Sequence, residues 1–157
     1  MKKVLKRRKK IQVENGNQLG KTDRRLYYTF ISKQEEMMLD PYVRRAELLS
    51  VTDGDTVRMV IDLGYRNFTE TAIRLYQVNA PEIFRGTDDE KEKGQAAKKW
   101  VTEWFSNHSG KSDWDFLVRS YKDKKSFDRW IGEIYAANGD CLNNDIIDAG
   151  HALFEDY

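Results

Sequence analysis

The stretch "VTDGDTVRMVIDLG", residues 51–64, decides how this chain is read. From Thr56 to Leu63 the residues alternate. Val57, Met59, Ile61 and Leu63 fall on one face, and Thr56, Arg58, Val60 and Asp62 on the other. That is the period of a half-buried strand. Directly before it, Asp53 and Asp55 flank Gly54. Asp-Gly-Asp is an ordinary turn sequence and needs no further role. The same two acids, at the head of a strand, are also the chemistry that holds a hard cation. The stretch alone leaves both readings open.

Working outward, Val43 to Val51 is apolar-rich and reads as the preceding strand. Gly64 marks a turn. Thr69 to Val78 is expected as a third strand, Trp114 to Tyr121 as a fourth and Trp130 to Ala136 as a fifth. Two helices fit between and after. Glu92 to Phe105 carries Ala97, Trp100, Val101, Trp104 and Phe105 at helical spacing. Cys141 to Ala149 has Asp140 placed to cap it and Gly150 placed to end it. Three strands, a helix, two strands and a helix suit an α+β, mainly β class: a five-stranded OB-fold barrel with flanking helices. In the run from Phe84 to Gln95 every residue from Arg85 to Gly94 is charged apart from two glycines and Thr87, and the run is expected to be a mobile, solvated loop.

The domain is assigned to residues 41–157, and residues 1–40 to a basic arm followed by a short helix. In the arm, seven of the chain's 27 basic residues fall within the first ten positions, which leaves 20 against 26 acidic residues in the remainder. A basic arm on an acidic body suits a nucleic-acid or anionic-surface tether, or else a solubilising tail. Arg24 to Leu39 shows a broken apolar stripe of Leu26, Phe30, Ile31, Met37 and Met38, stopped at Asp40-Pro41. No apolar run has the roughly 20 residues of a membrane helix, and no apolar segment follows the basic start as a secretory signal requires. A single cysteine, Cys141, excludes an internal disulfide and points to a reducing, cytoplasmic setting. A monomer without membrane partners is expected. Cys141 reads as a small packing residue, and His108 and His151 as structural or solvated, since neither sits in a cluster with metal-ligand spacing.

Beyond the turn, "RLYQVNAPE", residues 74–82, places Arg74 on a strand and Glu82 just after its end. "FDRW", residues 127–130, places Arg129 at the head of the fifth strand. Acids and arginines so placed converge on one rim of a barrel. With "GQAA" at residues 94–97, "EIYAANG" at 133–139 and "LNNDIIDAGHA" at 142–152, these blocks resemble the staphylococcal nuclease (thermonuclease) family in order and near spacing, phage and bacterial members most of all. The resemblance spans Val51 to Ala152.

The resemblance implies cleavage of phosphodiesters. Asp55 would bind Ca2+ or another divalent cation, with the Asn79 side chain and the Ala80 carbonyl as further ligands and Asp53 supporting from behind. Glu82 would orient or deprotonate the attacking water. Arg74 and Arg129 would grip the phosphate with a fork that lysine lacks. Phe127 matches a position where a ring packs on the nucleotide. The implied partner is nucleic acid, DNA or RNA with the preference between them left open, single strands preferred. Two departures stand out. The family's type member has aspartate where this chain has Asn79, which removes one charge and weakens the expected Ca2+ site. The sequence stops at Tyr157 without the family's last helix, so the Arg24–Leu39 segment is expected to cover the barrel surface left open. Against the nuclease stands a non-catalytic nucleic-acid-binding or protein-interaction module of the same fold. The presence of Asp55, Arg74, Glu82 and Arg129 together favours the enzyme.

Overall fold

The computed structural model describes residues 40–110, 114–121 and 130–156. The basic arm, the Arg24–Leu39 segment, Phe127 and Arg129 lie outside the described residues. Five strands close into a barrel: β1 (Val43–Val51), β2 (Thr56–Gly64), β3 (Asn67–Leu75), β5 (Phe116–Tyr121) and β6 (Trp130–Ala136). Their order around the barrel is β1-β2-β3-β6-β5. The β3–β6 pairing is parallel, and the others are antiparallel. This is the OB-type arrangement expected from the alternation, with helix α1 (Asp88–His108) after the third strand and α2 (Leu142–Asp148) after the last. Among the described residues no helix is long and apolar enough to cross a membrane.

The alternation of residues 56–63 is kept. Val57, Met59 and Ile61 point into the barrel and are buried, whereas Leu63, near the hairpin end, is half exposed. The hairpin turns at Tyr65 and Arg66, both at positive φ, which matches the right-handed twist of the flanking strands. Two expectations about the third strand and the run after it need correcting. The strand expected over Thr69–Val78 breaks after Leu75. Gln77 takes φ 58°, and Val78–Asn79 forms a separate strand, β4, paired with β7 (Leu153–Phe154). The charged run after Phe84 is helical from Asp88 onward and not a loop. Thr87 accepts from the Glu90 N–H, and the Glu90 carboxylate accepts from the Thr87 N–H at 2.7 Å, a capping box. Three acids in the first turn then complement the positive end of the helix dipole. A high charge density at a helix start reads as disorder when only composition is weighed.

The barrel core is Ala46, Val57, Met59, Ile73, Leu75, Phe116, Val118 and Ile134. α1 closes one end with Val101, Trp104 and Phe105, whose ring meets Phe116 edge-on at 4.9 Å. α2 starts at Leu142, and Asp140 does not cap it. Asp140 instead accepts from Asn138 and meets His108 at 3.0 Å. Gly150, at φ 76°, follows the helix end as expected. The lone thiol, Cys141, is buried, and that burial holds its pKa above the usual value, as a packing role requires.

Asn143 on α2 ties three elements together. Its Oδ1 accepts from the Ile134 N–H at 3.1 Å, while its Nδ2 donates to the carbonyls of Tyr76 at 2.9 Å and Gly132 at 3.1 Å. The residue is buried, so Asn143→Ala strands backbone groups that no water replaces. We expect a loss of roughly 3 kcal/mol, read as a lower urea midpoint at unchanged slope.

Candidate active site

The Asp-Gly-Asp turn is held by its own chain. The Asp53 carboxylate accepts from the Asp55 N–H at 3.1 Å, and the N–H groups of Thr52 and Asp53 donate to the Thr56 carbonyl at 2.9 and 3.2 Å. The Asp55 carbonyl accepts from the Leu75 N–H at 2.8 Å, which fixes the turn to the end of β3. Here β3 delivers Arg74. Its Nη1 donates to Asp55 Oδ1 at 3.0 Å, and its Nη2 lies 3.8 Å from the Glu155 carboxylate. Asp55 is buried, with 5% of its surface exposed, and also accepts from the Thr56 hydroxyl at 2.9 Å and the Ala80 N–H at 3.2 Å.

Burial pushes the Asp55 carboxyl up to about 6, because desolvation penalises the charged form. Arg74 opposes this, Asp53 adds to it, and the hydrogen bonds from Ala80 and Thr56 lower it again. A carboxylate held charged in such a place favours any further cation that reaches it.

Beside Ala80 opens a cleft of about 680 Å3. Asn79, Ala80 and Glu82 form one side of it, Arg85 and Lys93 another, and His151 the wall from the end of α2. Asp55 is joined to this cleft through the Ala80 N–H. The structure thus places Asn79, Ala80 and Glu82 in the cleft lining, with Asp55 behind Ala80, Arg74 bound to Asp55 outside that lining, and Asp53 bracing the turn. It leaves Glu82 exposed, next to buried Ile83, which anchors the loop. His108, expected to be structural, joins the Trp104 carbonyl at 2.7 Å to Asp140. His151 packs by Trp100 at 5.7 Å.

The fit to a divalent cation is a matter of donor type. The Asp55 carboxylate, the Asn79 amide and the Ala80 carbonyl are all oxygen donors of the kind hard cations take. Among the described residues, no three His, Cys, Asp or Glu side chains gather to hold a metal. Asp55 is thus the one anionic ligand of the expected set that is buried at this place.

Sequence reasoning missed what holds the pieces in contact. A Cβ on Gly54 would lie 2.7 Å from the Cβ atoms of both Ala80 and Ala97. A Cβ on Gly94 would lie 2.7 Å from the Pro81 carbonyl oxygen and 2.8 Å from that of Glu82. The turn, the Asn79–Glu82 segment and α1 touch backbone to backbone, with only glycine and alanine between them. The signal was present in the "GQAA" block, which places a glycine and two alanines on a helix otherwise rich in large side chains. Glu155 was missed because nothing local marks a carboxylate just after the last strand as a partner for Arg74. Compared with known proteins, the chain matches no family model and no curated protein.

Gly94→Ala is expected to lower stability by about 1–3 kcal/mol, through a backbone clash that no rotamer relieves. It should also displace Pro81 and Glu82. Thermal melting checks the first effect. Amide chemical-shift changes confined to residues 79–83 and the facing turn of α1 check the second.

Proposed function

We propose that this protein is a metal-dependent phosphodiesterase that cleaves nucleic acid, DNA or RNA, with low sequence specificity. The observation that carries the reading is the 3.0 Å pair of Asp55 with Arg74, joined through the Ala80 N–H to the cleft that Glu82 lines. A buried anion, a guanidinium and an accessible carboxylate are the three tools a stable, negatively charged ester requires. The resemblance of the residue blocks to thermonucleases adds the same roles.

On this reading Glu82 accepts a proton from water as the water oxygen adds to phosphorus. Arg74 meets the negative charge that builds on the phosphoryl oxygens, and the bond to the leaving oxygen then breaks. Arg129 and Phe127, outside the described residues, are assigned the second phosphate contact and the ring against the nucleotide. Asp55, Asn79 and the Ala80 carbonyl would hold Ca2+ or another divalent cation, with Asp53 supporting from behind. When bound, the cation supplies positive charge to the phosphate. Contacts directed at phosphate rather than base edges account for low specificity.

One observation favours the alternative, a non-catalytic nucleic-acid-binding or protein-interaction module. Arg74, Thr56 and Ala80 already engage the Asp55 oxygens, and Asn79 brings no charge. Incubation of single-stranded DNA, duplex DNA and RNA with Ca2+, Mg2+, Mn2+ or chelator separates the two. Cleavage of single strands that stops in chelator supports the enzyme. Retention of DNA without cleavage in any metal supports the module.

Two substitutions test the roles. Glu82→Gln should lower kcat about a hundredfold or more, as loss of a general base does. Arg74→Lys should lower kcat far more than it raises KM, since a point charge does not replace a planar fork in the transition state. Steady-state kinetics on a fluorescent single-stranded oligonucleotide check both, and wild-type turnover in either variant removes that residue from the mechanism.

A further inference from the structure

The two ends of the barrel differ. α1 fills one with Val101, Trp104 and Phe105. Among the described residues, the other is an open mouth of about 470 Å3, floored by Ile61, Ile73 and Val118. A five-stranded barrel is narrow enough for its inward side chains to fill it, and large ones usually do. Here the inward positions near the mouth hold Thr69, Thr71 and Ser120, which are too short to meet across it. Arg44 and Trp130 stand at its edge, and the Trp130 side is 55% exposed.

This lining is mixed in a specific way. The floor is apolar, the walls carry three hydroxyls that both donate and accept, and the edge adds an indole face and a guanidinium. The Ser120 hydroxyl already donates to the Tyr42 carbonyl at 3.3 Å, and a purely aliphatic occupant would offer the Thr69 and Thr71 hydroxyls no partner. A small ion would leave the floor and the indole unused. A flat ring with apolar faces and a polar edge satisfies all of them. We propose that the barrel mouth is a binding site for one nucleobase of a single-stranded substrate.

The position agrees with the site already described, and the proposal rests on that nucleic-acid reading. Ile73 and Arg74 are consecutive on β3, so Ile73 points into the barrel and Arg74 outward to Asp55. Trp130 pairs with Ile73 across the parallel β3–β6 ladder, and Ile131 with Arg74. A strand passing over the start of β6 thus has a phosphate at Arg74 and an unstacked base within reach of the mouth. Arg44 places a positive charge beside the base site, complementary to the polyanion. Stacking on an indole tolerates any base, which is consistent with low specificity. Duplex DNA, whose bases are paired and stacked, has none to offer.

The test is a titration of the full chain in chelator, read by tryptophan fluorescence. The probes are deoxyadenosine 5′-monophosphate and base-free 2-deoxyribose 5-phosphate. We expect quenching by the first and not by the second. Trp130→Phe should abolish the quenching, and Thr71→Phe, which fills the mouth, should weaken binding about tenfold or more. In the cleavage assay, Thr71→Phe should raise KM for an oligonucleotide by a similar factor with kcat unchanged. Circular dichroism establishes that each variant is folded, and if Thr71→Phe is not, Ser120→Phe fills the same space. The absence of quenching in the full chain overturns the proposal, as a mouth already filled by another part of the chain or by a second copy would produce. Equal quenching by the base-free sugar phosphate, or unchanged affinity in the filled variant, also overturns it. Cleavage without base-dependent quenching removes the mouth and leaves the nuclease. Base-dependent quenching without cleavage in any metal does the reverse.

Discussion

Three backbone segments meet with almost nothing between them, and the candidate site exists because they do. Gly54 faces Ala80 and Ala97, while Gly94 faces the carbonyls of Pro81 and Glu82. Any larger side chain at either glycine would drive the turn, the Asn79–Glu82 segment and α1 apart. The approach puts the Ala80 N–H within 3.2 Å of Asp55 and seats Glu82 against the middle of α1. Glycine inside a helix costs about 1 kcal/mol relative to alanine. That cost is accepted here where a packed contact returns it as position.

The same contact explains how an acid is kept charged where water is scarce. Asp55 is desolvated, and desolvation is the largest influence on it. Left alone it would take up a proton. Arg74 at 3.0 Å, the Ala80 N–H and the Thr56 hydroxyl each favour the charged form and oppose that rise. Breaking one of these bonds would leave a buried charge short of a partner, which costs more than the bond itself contributes. Arg74 is steadied in turn by Glu155, so the end of the chain bears on the centre of the site.

The helix that carries Gly94 also decides which barrel end is available. With Trp104 and Phe105 packed on Phe116, one end is core. Trp104 donates to Asp145 on α2 at 2.7 Å, so the two helices brace each other on that side. Access to the barrel interior is left to the opposite end, whereas the candidate active site packs against the N-terminal half of this same helix.

Much of this was legible in the sequence because it is local. The alternation from Thr56 to Leu63 determines a strand whatever its neighbours. The order of strands and helices suits a closed barrel, which removes the exposed edges of a five-stranded sheet. The residue types at 53–55, 74 and 79–82 are ordinary one by one, and they mark the candidate site only through the resemblance that the blocks carry together. What the sequence could not display is non-local. The break after Leu75 depends on Val78 and Asn79 pairing with Leu153 and Phe154, some 75 positions further on. The helical start at Asp88 depends on a cap whose composition reads as loop. The partnership of Arg74 with Glu155, and the meeting of Gly54 with Ala97, join residues that no period or spacing connects. Alternation and capping are properties of neighbouring residues, whereas contact distance is a property of the closed barrel, and only closure brings these groups together.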